Sequence, residues 1–251
     1  MTVSTDNPQL VDEARCELLA VSPSRAGQYT QALAAEGLRP PAGWNPHGSY
    51  GEVVGWDLVL VQPQTLSILR YDLLDFYEAR REYLLSVLLQ DPDAVECNPE
   101  LEEAHHRQDR IAQAHFEAVE QATARLVRAL GVPAPRRLDH PLASHGGLLL
   151  HTHIVFGVLA YRGGRVVVDP GGVARQARRL IGGYYRHTRA RVDEWLCRPY
   201  RWGPADPDGH LELVGIPEEL VEAYSGPHRP LGEVAACDGV VRRVLGQGPG
   251  W

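Results

Sequence analysis

Three histidines near the middle of the chain have a spacing suited to holding a metal ion. His151 and His153 are separated by one residue, and they lead into the apolar run 154–156, which is typical of a β-strand. Side chains two residues apart on a strand project from the same face, so both imidazoles would point the same way. We expect His140 to join them if the chain folds back through the intervening glycines. Three neutral imidazoles would leave coordination positions open for water or a substrate oxygen.

The segment that carries these histidines resembles the three-histidine motif of the TrwC/TraI-type conjugative relaxases, in the HUH endonuclease superfamily. In that family a leading His is followed eleven residues later by Leu-His-Thr-His and an apolar strand, as His140 is followed here by His151 and His153. The residues between differ from the family's usual Thr-Ser-Arg and Asp-Pro-Gln. The resemblance implies an α+β fold, with a central antiparallel, palm-like sheet and flanking helices. It also implies one divalent metal ion, Mg, Mn or Zn, held by the three histidines.

Tyr29 is the candidate nucleophile. Ser22 and Pro23 predict the N-cap and first position of a helix that Gly37 ends, and Tyr29 lies two turns into that helix. The run from Ser24 to Tyr29 resembles the family's Gly-Arg-Ala-x-x-Tyr stretch, which implies the nucleophile position. The residue after Tyr29 is not a second Tyr, so a single phenol would act. An ordinary packing role for Tyr29 stays open, and Tyr50 is a spare candidate.

Asp57 lies in a strong strand signal, residues 56–61, where a carboxylate is costly unless it is paired. Residues 56–67 resemble the family signature Phe-Asp-Leu-Thr-Phe-Ser-Ala-Pro-Lys-Ser-Val-Ser. The resemblance implies that Asp57 orients a metal-binding imidazole or takes the tyrosine proton. It makes Gln64 and Ser67 candidate DNA contacts, although Gln64 replaces a Lys of the family.

Charge is unevenly distributed along the chain. The formal net charge is −7, which argues mildly against nucleic acid as a partner. However, acids predominate in residues 72–103, whereas arginines predominate in residues 140–201, which include the histidines. Arg162, Arg165 and the arginine-rich helix predicted over residues 175–195 are therefore candidate contacts to a DNA backbone, with a solvated basic face as the alternative.

The remaining pattern predicts one main domain. We expect a flexible lead-in over residues 1–15, a relaxase-like domain over 16–235 and a tail over 236–251. Helical periodicity covers 71–90 and 105–130, and a strand hairpin follows the histidines. His105, His106 and His115 are interpreted as surface or core-edge residues. Scattered cysteines, a polar N-terminus and the lack of a long apolar run favour a cytoplasmic protein without membrane insertion.

The function that the resemblance implies is strand transfer on single-stranded DNA. Tyr29 would attack the scissile phosphate at an origin of transfer, on a single strand or hairpin, and give a 5′-phosphotyrosyl intermediate. Accessory conjugation proteins would be further partners. Two alternatives stay open: a degenerate relaxase-like protein that binds DNA or a partner without cutting, and an unrelated three-histidine hydrolase that uses an activated water.

Overall fold

A four-stranded antiparallel sheet forms the centre of the molecule. The computed structural model describes residues 15–44, 53–90, 99–142, 148–161, 165–194, 201–207 and 209–225. The strands have the spatial order β1-β2-β4-β3, with every neighbouring pair antiparallel. The predicted α+β class with a central antiparallel sheet is thus confirmed. The strands are β1 (Glu17–Val21), β2 (Gly55–Val61), β3 (Arg136–Leu142) and β4 (Leu148–Gly157).

Five helices and two small ribbons complete the described fold. No helix in these residues is both long and apolar enough to cross a membrane. The predicted hairpin after the histidines is present as a separate ribbon, β5 with β6, and its glycine turn lies outside the described residues. The helices are α1 (Pro23–Ala35), α2 (Gln64–Gln90), α3 (Pro99–Leu130), α4 (Pro170–Asp193) and α5 (Glu218–Ser225); the ribbons pair β5 (Leu159–Tyr161) with β6 (Arg165–Val167) and β7 (Arg201–Trp202) with β8 (Leu213–Val214).

The two faces of the sheet carry different partners. On one face, alternate residues of β2 and β4, such as Leu58 and Phe156, pack into the main core with α3 and α4. On the other face, Val155 of β4 and Leu138 of β3 pack with α1. Asp57 is opposite Val155 in the register, so its side chain lies on the α1 face of the sheet. The side chains of His153 and His151, two and four positions before Val155, lie on the same face. A further core joins α2, the first half of α3 and α5.

The helix α1 begins and ends as its sequence predicts, with one difference. Pro23 occupies the first turn and Gly37 follows the helix with a φ of 68°, a left-handed conformation that glycine adopts without steric cost. Ser22 has the extended backbone of an N-cap, but its hydroxyl contacts that of Ser24 at 2.8 Å and makes no capping bond to the helix backbone.

The helix α4 begins five residues earlier than its periodicity predicts. Asp169 is the N-cap, and its carboxylate accepts hydrogen bonds from the amides of Gly171 and Gly172 at 3.2 and 2.7 Å. The two glycines have low helix propensity and hide the start, but the Asp169-Pro170 pair is a sound start signal that outweighs them.

Candidate active site

The hairpin of β3 and β4 brings the three predicted metal ligands together. His140 is directly opposite His151 in the register, and Leu138 is opposite His153, so all three imidazoles project from the α1 face. One nitrogen from each ring lies within 4.8 Å of the other two. The ring centroids are separated by 5.2, 5.2 and 5.3 Å, which makes a nearly equilateral triangle. His151 and His153 are buried and His140 is half-buried, so the cluster is open on the His140 side.

Hydrogen bonds fix which nitrogen of the two buried histidines can bind a metal. Nδ1 of His151 lies 3.0 Å from the carbonyl oxygen of Leu149, and Nδ1 of His153 lies 2.6 Å from Oδ2 of Asp57. Both partners accept, so each Nδ1 carries the proton and each Nε2 keeps its lone pair for a ligand. This donor set fits a divalent metal, and the carboxylate behind His153 is a partner that metal-binding histidines commonly have.

Asp57 connects the histidine cluster to Tyr29. Its side chain is fully buried in the middle of β2, and Oδ2 accepts a hydrogen bond of 2.6 Å from the Tyr29 hydroxyl as well as the one from His153. The carboxylate is thus paired, as an aspartate inside an apolar strand must be. The tyrosine, the aspartate and the histidine that sequence analysis singled out form one continuous chain of hydrogen bonds.

Tyr29 itself has no exposed surface. The residue is 0% exposed, and its ring packs with apolar side chains of the α1 cluster, including Leu33 and Val155. The ring of Trp44 lies 6.0 Å away, centroid to centroid. The Tyr29 hydroxyl is therefore connected to the histidine cluster by its hydrogen bond to Asp57, and the tyrosine ring is covered by other side chains.

The first turn of α2 holds a carboxylate of the same chain. The backbone amides of Gln64 and Thr65 each donate to the carboxylate of Glu212 at 2.9 Å. Nε2 of His210 lies 3.0 Å from Oε1 of Glu212. Burial raises the pKa of Glu212, but the hydrogen bonds from His210 and Thr65 outweigh it, so the pKa lies below its usual value. A DNA phosphate could not use these amides while Glu212 occupies them.

The other predicted DNA contacts lie in different settings. Ser67 is buried: its hydroxyl donates to Oε1 of Gln62 at 3.1 Å and accepts from the amide of Leu150 at 3.4 Å, so it joins α2 to β4. It has no surface to offer DNA in this conformation. Arg165 lies in β6, but its side chain is outside the described residues. Arg162, the spare candidate Tyr50, the lead-in over 1–14 and the tail over 236–251 lie outside them as well.

A buried polar chain on the opposite face of β4 was missed by the sequence analysis. His115 was interpreted as a surface or core-edge residue, but it is fully buried. Its Nε2 lies 2.9 Å from Oγ1 of Thr152, and its Nδ1 lies 2.6 Å from the hydroxyl of Tyr184. Oγ1 of Thr152 in turn donates to Oδ1 of Asp139 at 2.6 Å. His115 occupies the apolar stripe of its helix, and that position was the available signal of burial.

The direction of each bond in this chain follows from proton counting. Thr152 has one hydroxyl proton and gives it to Asp139, so Nε2 of His115 must donate to Thr152. Nδ1 of His115 is then an acceptor for the hydroxyl of Tyr184. Burial, with smaller contributions from nearby cations, lowers the pKa of His115 to about 3, which keeps the ring neutral as this pattern requires. Thr152 lies between the two buried ligands, so both faces of this strand are fixed by hydrogen bonds.

His105 and His106 are exposed, as predicted for surface histidines. The ring of His105 stacks on Tyr77 with centroids 4.5 Å apart, and its Nε2 lies 3.5 Å from a carboxylate oxygen of Asp109.

Comparison with known proteins identifies the fold. The structure of conjugative relaxase TrwC in complex with mutant oriT DNA is similar over 83% of this chain and 78% of that chain, at 16% sequence identity and a TM-score of 0.50. Metal-bound TrwC in complex with oriT DNA is similar over the same shares, at 14% identity and a TM-score of 0.49. Metal-free TrwC with oriT DNA is similar over 84% and 79%, at 14% identity and 0.46. No protein-family model and no curated protein matches the sequence. The first of these similarities shows that the chain has the TrwC relaxase fold.

Proposed function

We propose that this protein is a metal-dependent DNA strand transferase of the relaxase type, which nicks single-stranded DNA and forms a 5′-phosphotyrosyl intermediate. One observation carries the proposal: a single carboxylate oxygen, Oδ2 of Asp57, lies 2.6 Å from both the Tyr29 hydroxyl and Nδ1 of His153. A nucleophile, a proton acceptor and a metal ligand are thereby joined in one bonded unit. A packing tyrosine would need only one partner for its hydroxyl, and that partner would not have to be bonded to a histidine of the cluster as well.

DNA is the proposed substrate. The TrwC structure that shares this fold is a complex with origin-of-transfer DNA, and we extend that class of partner to this chain. The half-buried side of the histidine cluster gives a phosphate access to the centre. The DNA would be a single strand or hairpin at an origin of transfer, with accessory conjugation proteins as further partners.

Tyr29 and Asp57 carry the chemical steps. Asp57 accepts the phenol proton, the Tyr29 oxygen forms a bond to phosphorus, and the bond from phosphorus to the 3′ oxygen breaks. That oxygen takes up a proton from water and leaves as a 3′-hydroxyl, while the 5′-phosphate stays on Tyr29 and the proton on Asp57 returns to the solvent. The reverse attack by a 3′-hydroxyl restores the DNA. A phenol has a pKa of about 10, so loss of its proton at neutral pH needs the acceptor that Asp57 supplies.

His140, His151 and His153 are the proposed ligands of one divalent ion. The ion would supply positive charge at the phosphate oxygens as negative charge develops there. Of the ions that the sequence analysis considered, Zn²⁺ matches three imidazole nitrogens best, since Mg²⁺ prefers oxygen ligands. The chain's own contribution is orientation: Leu149 and Asp57 hold the rings of the two buried histidines so that Nε2 faces the cluster.

The burial of Tyr29 supports a second candidate function. Attack on a phosphate requires the Tyr29 hydroxyl to be uncovered, yet the residue is 0% exposed. If DNA does not uncover it, the protein is a relaxase-like DNA-binding protein that does not cut. The replacement of the family's Lys by Gln64 favours the same candidate, because one phosphate-binding cation is missing.

A search for covalent adducts decides between these functions. The protein is incubated with a random single-stranded DNA library and Zn²⁺, Mn²⁺ or Mg²⁺, and adducts are recovered on denaturing gels and sequenced. We expect an adduct that Tyr29→Phe abolishes and that Tyr83→Phe, a change at an exposed tyrosine of α2, leaves intact.

Each other result has a defined meaning. An adduct that persists in Tyr29→Phe excludes Tyr29 as the nucleophile. Binding without any adduct supports the non-cutting candidate. Cleavage without an adduct supports an unrelated three-histidine hydrolase that uses water.

A further inference from the structure

A groove lined by four arginines lies between α4 and the C-terminal half of α3. Arg125 and Arg128 line it from α3, and Arg179 and Arg186 line it from α4. All four are exposed at the surface, and the groove has a volume of about 600 Å³. Two helices that are far apart in the sequence therefore place their cations around one concavity.

These arginines have no acidic partner among the residues that the structure describes. No carboxylate lines the groove, and none of its four arginines forms an ion pair within the residues that the structure describes. In contrast, Arg107, Arg189 and Arg191 each pair with a carboxylate on the same or a neighbouring helix. The concentration of cations is notable in a chain whose formal net charge is −7.

Two adjacent glycines of α4 leave room for the guanidinium groups. A Cβ on Gly183 would lie 3.1 Å from Nη1 of Arg125, and a Cβ on Gly182 would lie 3.3 Å from Nη1 of Arg186. Each contact is tighter than ordinary van der Waals distance, so a Cβ there would require the guanidinium to move by a few tenths of an ångström. Glycine in a helix interior costs about 1 kcal/mol relative to alanine, and here it leaves space that the two guanidinium groups occupy.

The groove is separate from the candidate active site. The helices α3 and α4 pack on the face of the sheet that carries Phe156, whereas the histidines share the face of Val155 and α1. A single-stranded segment seated on the histidines would not need to touch these arginines. The groove is thus a second surface, and it does not depend on whether the histidine site cuts DNA.

We propose that the arginine groove binds the phosphodiester backbone of nucleic acid. Guanidinium groups donate paired hydrogen bonds that match phosphate oxygens, and interfaces with nucleic acid are polar and positively charged. Among the residues that the structure describes, the apolar side chains that line the groove are Ala129 and Leu180, and none of the lining residues is an aromatic anchor of the kind on which protein interfaces depend. The ligand chemistry is the backbone phosphate, on a single strand or on a duplex.

Binding of fluorescent oligonucleotides of arbitrary sequence, followed by anisotropy over a range of salt concentrations, tests this proposal. EDTA is present throughout, so that strand transfer at the histidine site plays no part in the readout. Single-stranded and duplex probes are titrated in parallel to show which form the groove takes. The groove variant is Arg125→Gln with Arg179→Gln, and the control is Arg80→Gln with Arg81→Gln on α2, which removes the same charge outside the groove.

We expect the groove variant to lower the slope of log K against log salt by about 1 for each arginine removed, and the control to leave the slope unchanged. Equal slopes for the groove variant, the control and the unchanged protein would overturn the proposal. Polyglutamate serves as a competing polyanion. If the groove variant loses polyglutamate binding and keeps oligonucleotide binding, the groove takes an acidic protein and the nucleic-acid assignment is wrong.

Discussion

Nε2 of His115 lies 2.9 Å from Oγ1 of Thr152, directly behind the strand that carries the two buried histidines. The bond links α3 to the centre of β4, and Asp139 and Tyr184 extend it on either side. Because Thr152 is flanked by His151 and His153, any shift of its backbone moves both rings. The buried chain thus connects the core packing of α3 to the geometry of the candidate metal centre.

Thr152→Val should weaken both folding and metal binding. The change keeps the side-chain volume but leaves the buried Nε2 of His115 without its partner, at an expected cost of about 1 to 3 kcal/mol in the free energy of unfolding. Asp139 is exposed and keeps its hydrogen bond from Arg137, so it adds little to this cost. The strand would also be less firmly held, so Zn²⁺ affinity should fall. Thr152→Ser keeps the hydroxyl and should restore most of that affinity. Urea denaturation and calorimetric Zn²⁺ titration measure the two effects.

The control for this pair is Thr123→Val. The Thr123 hydroxyl bonds only to the carbonyl of Val119 within its own helix, so its loss should change the unfolding free energy by no more than about 0.5 kcal/mol. If the Zn²⁺ affinity of Thr152→Val is unchanged, the hydrogen bonds between His115, Thr152 and Asp139 have no influence on the metal-binding histidines.

The burial of His115 predicts a stability that falls with acid. Its pKa is lowered to about 3 in the folded protein, below the ordinary value of 6.5. Between these pH values the unfolded chain binds a proton that the folded protein does not, so stability is complete above about pH 6.5 and decreases as the pH falls towards 3. The largest slope from this group is about 1 kcal/mol per pH unit. Denaturation at a series of pH values, compared between the unchanged protein and His115→Gln, isolates the contribution.

The exposed His106 provides the comparison for that measurement, since His106→Gln should leave the pH dependence as it is. Parallel curves for the His115→Gln variant and the unchanged protein across this range would refute the assignment of a neutral, buried His115.

Much of the candidate site follows from sequence periodicity. The two-residue spacing of His151 and His153 on an apolar strand is enough to place both on one face, and the expectation that Asp57 needs a partner follows from the cost of burying a charge. His140 completes the cluster because strands β3 and β4 pair in a register that places His140 opposite His151. These features depend on local pattern and on one hairpin.

The contacts that sequence reasoning missed join residues far apart in the chain. Glu212 at the first turn of α2 and Tyr184 at His115 are brought into place by the packing of separate helices, and no local pattern encodes either pairing. The burial of Ser67 has the same origin, because α2 packs onto the end of β4. The signature around Asp57 therefore predicted strand β2 correctly. It did not predict that the first turn of α2 is occupied by Glu212 and that Ser67 is buried.

Asp57→Asn should reduce the metal affinity of the histidine cluster. The amide oxygen can accept from His153 and Tyr29 but carries no negative charge, so both hydrogen bonds are weaker. Loss of a carboxylate behind a metal-binding histidine costs about 10- to 100-fold in affinity. Calorimetric titration of Zn²⁺ into the metal-free protein measures the change. Asp109→Asn, at an exposed carboxylate of α3, is the control. An affinity within a factor of two of the unchanged protein would separate Asp57 from metal binding.

The covered ring of Tyr29 should become reactive only when DNA binds. In the free protein the phenol has no exposed surface and its hydroxyl is bonded to Asp57, so tetranitromethane should nitrate it far more slowly than Tyr83, which is 60% exposed. Trp44 packs beside the ring, and Trp44→Ala should raise the rate in the absence of DNA. Peptide mass spectrometry after timed nitration gives both rates. Single-stranded DNA in the presence of EDTA, which withholds the metal needed to form the bond from tyrosine to phosphate, should increase nitration of Tyr29 and leave Tyr83 unchanged, because attack on phosphorus requires the hydroxyl to leave the interior. Continued protection of Tyr29 in a saturated DNA complex would favour a protein that binds DNA without cutting it.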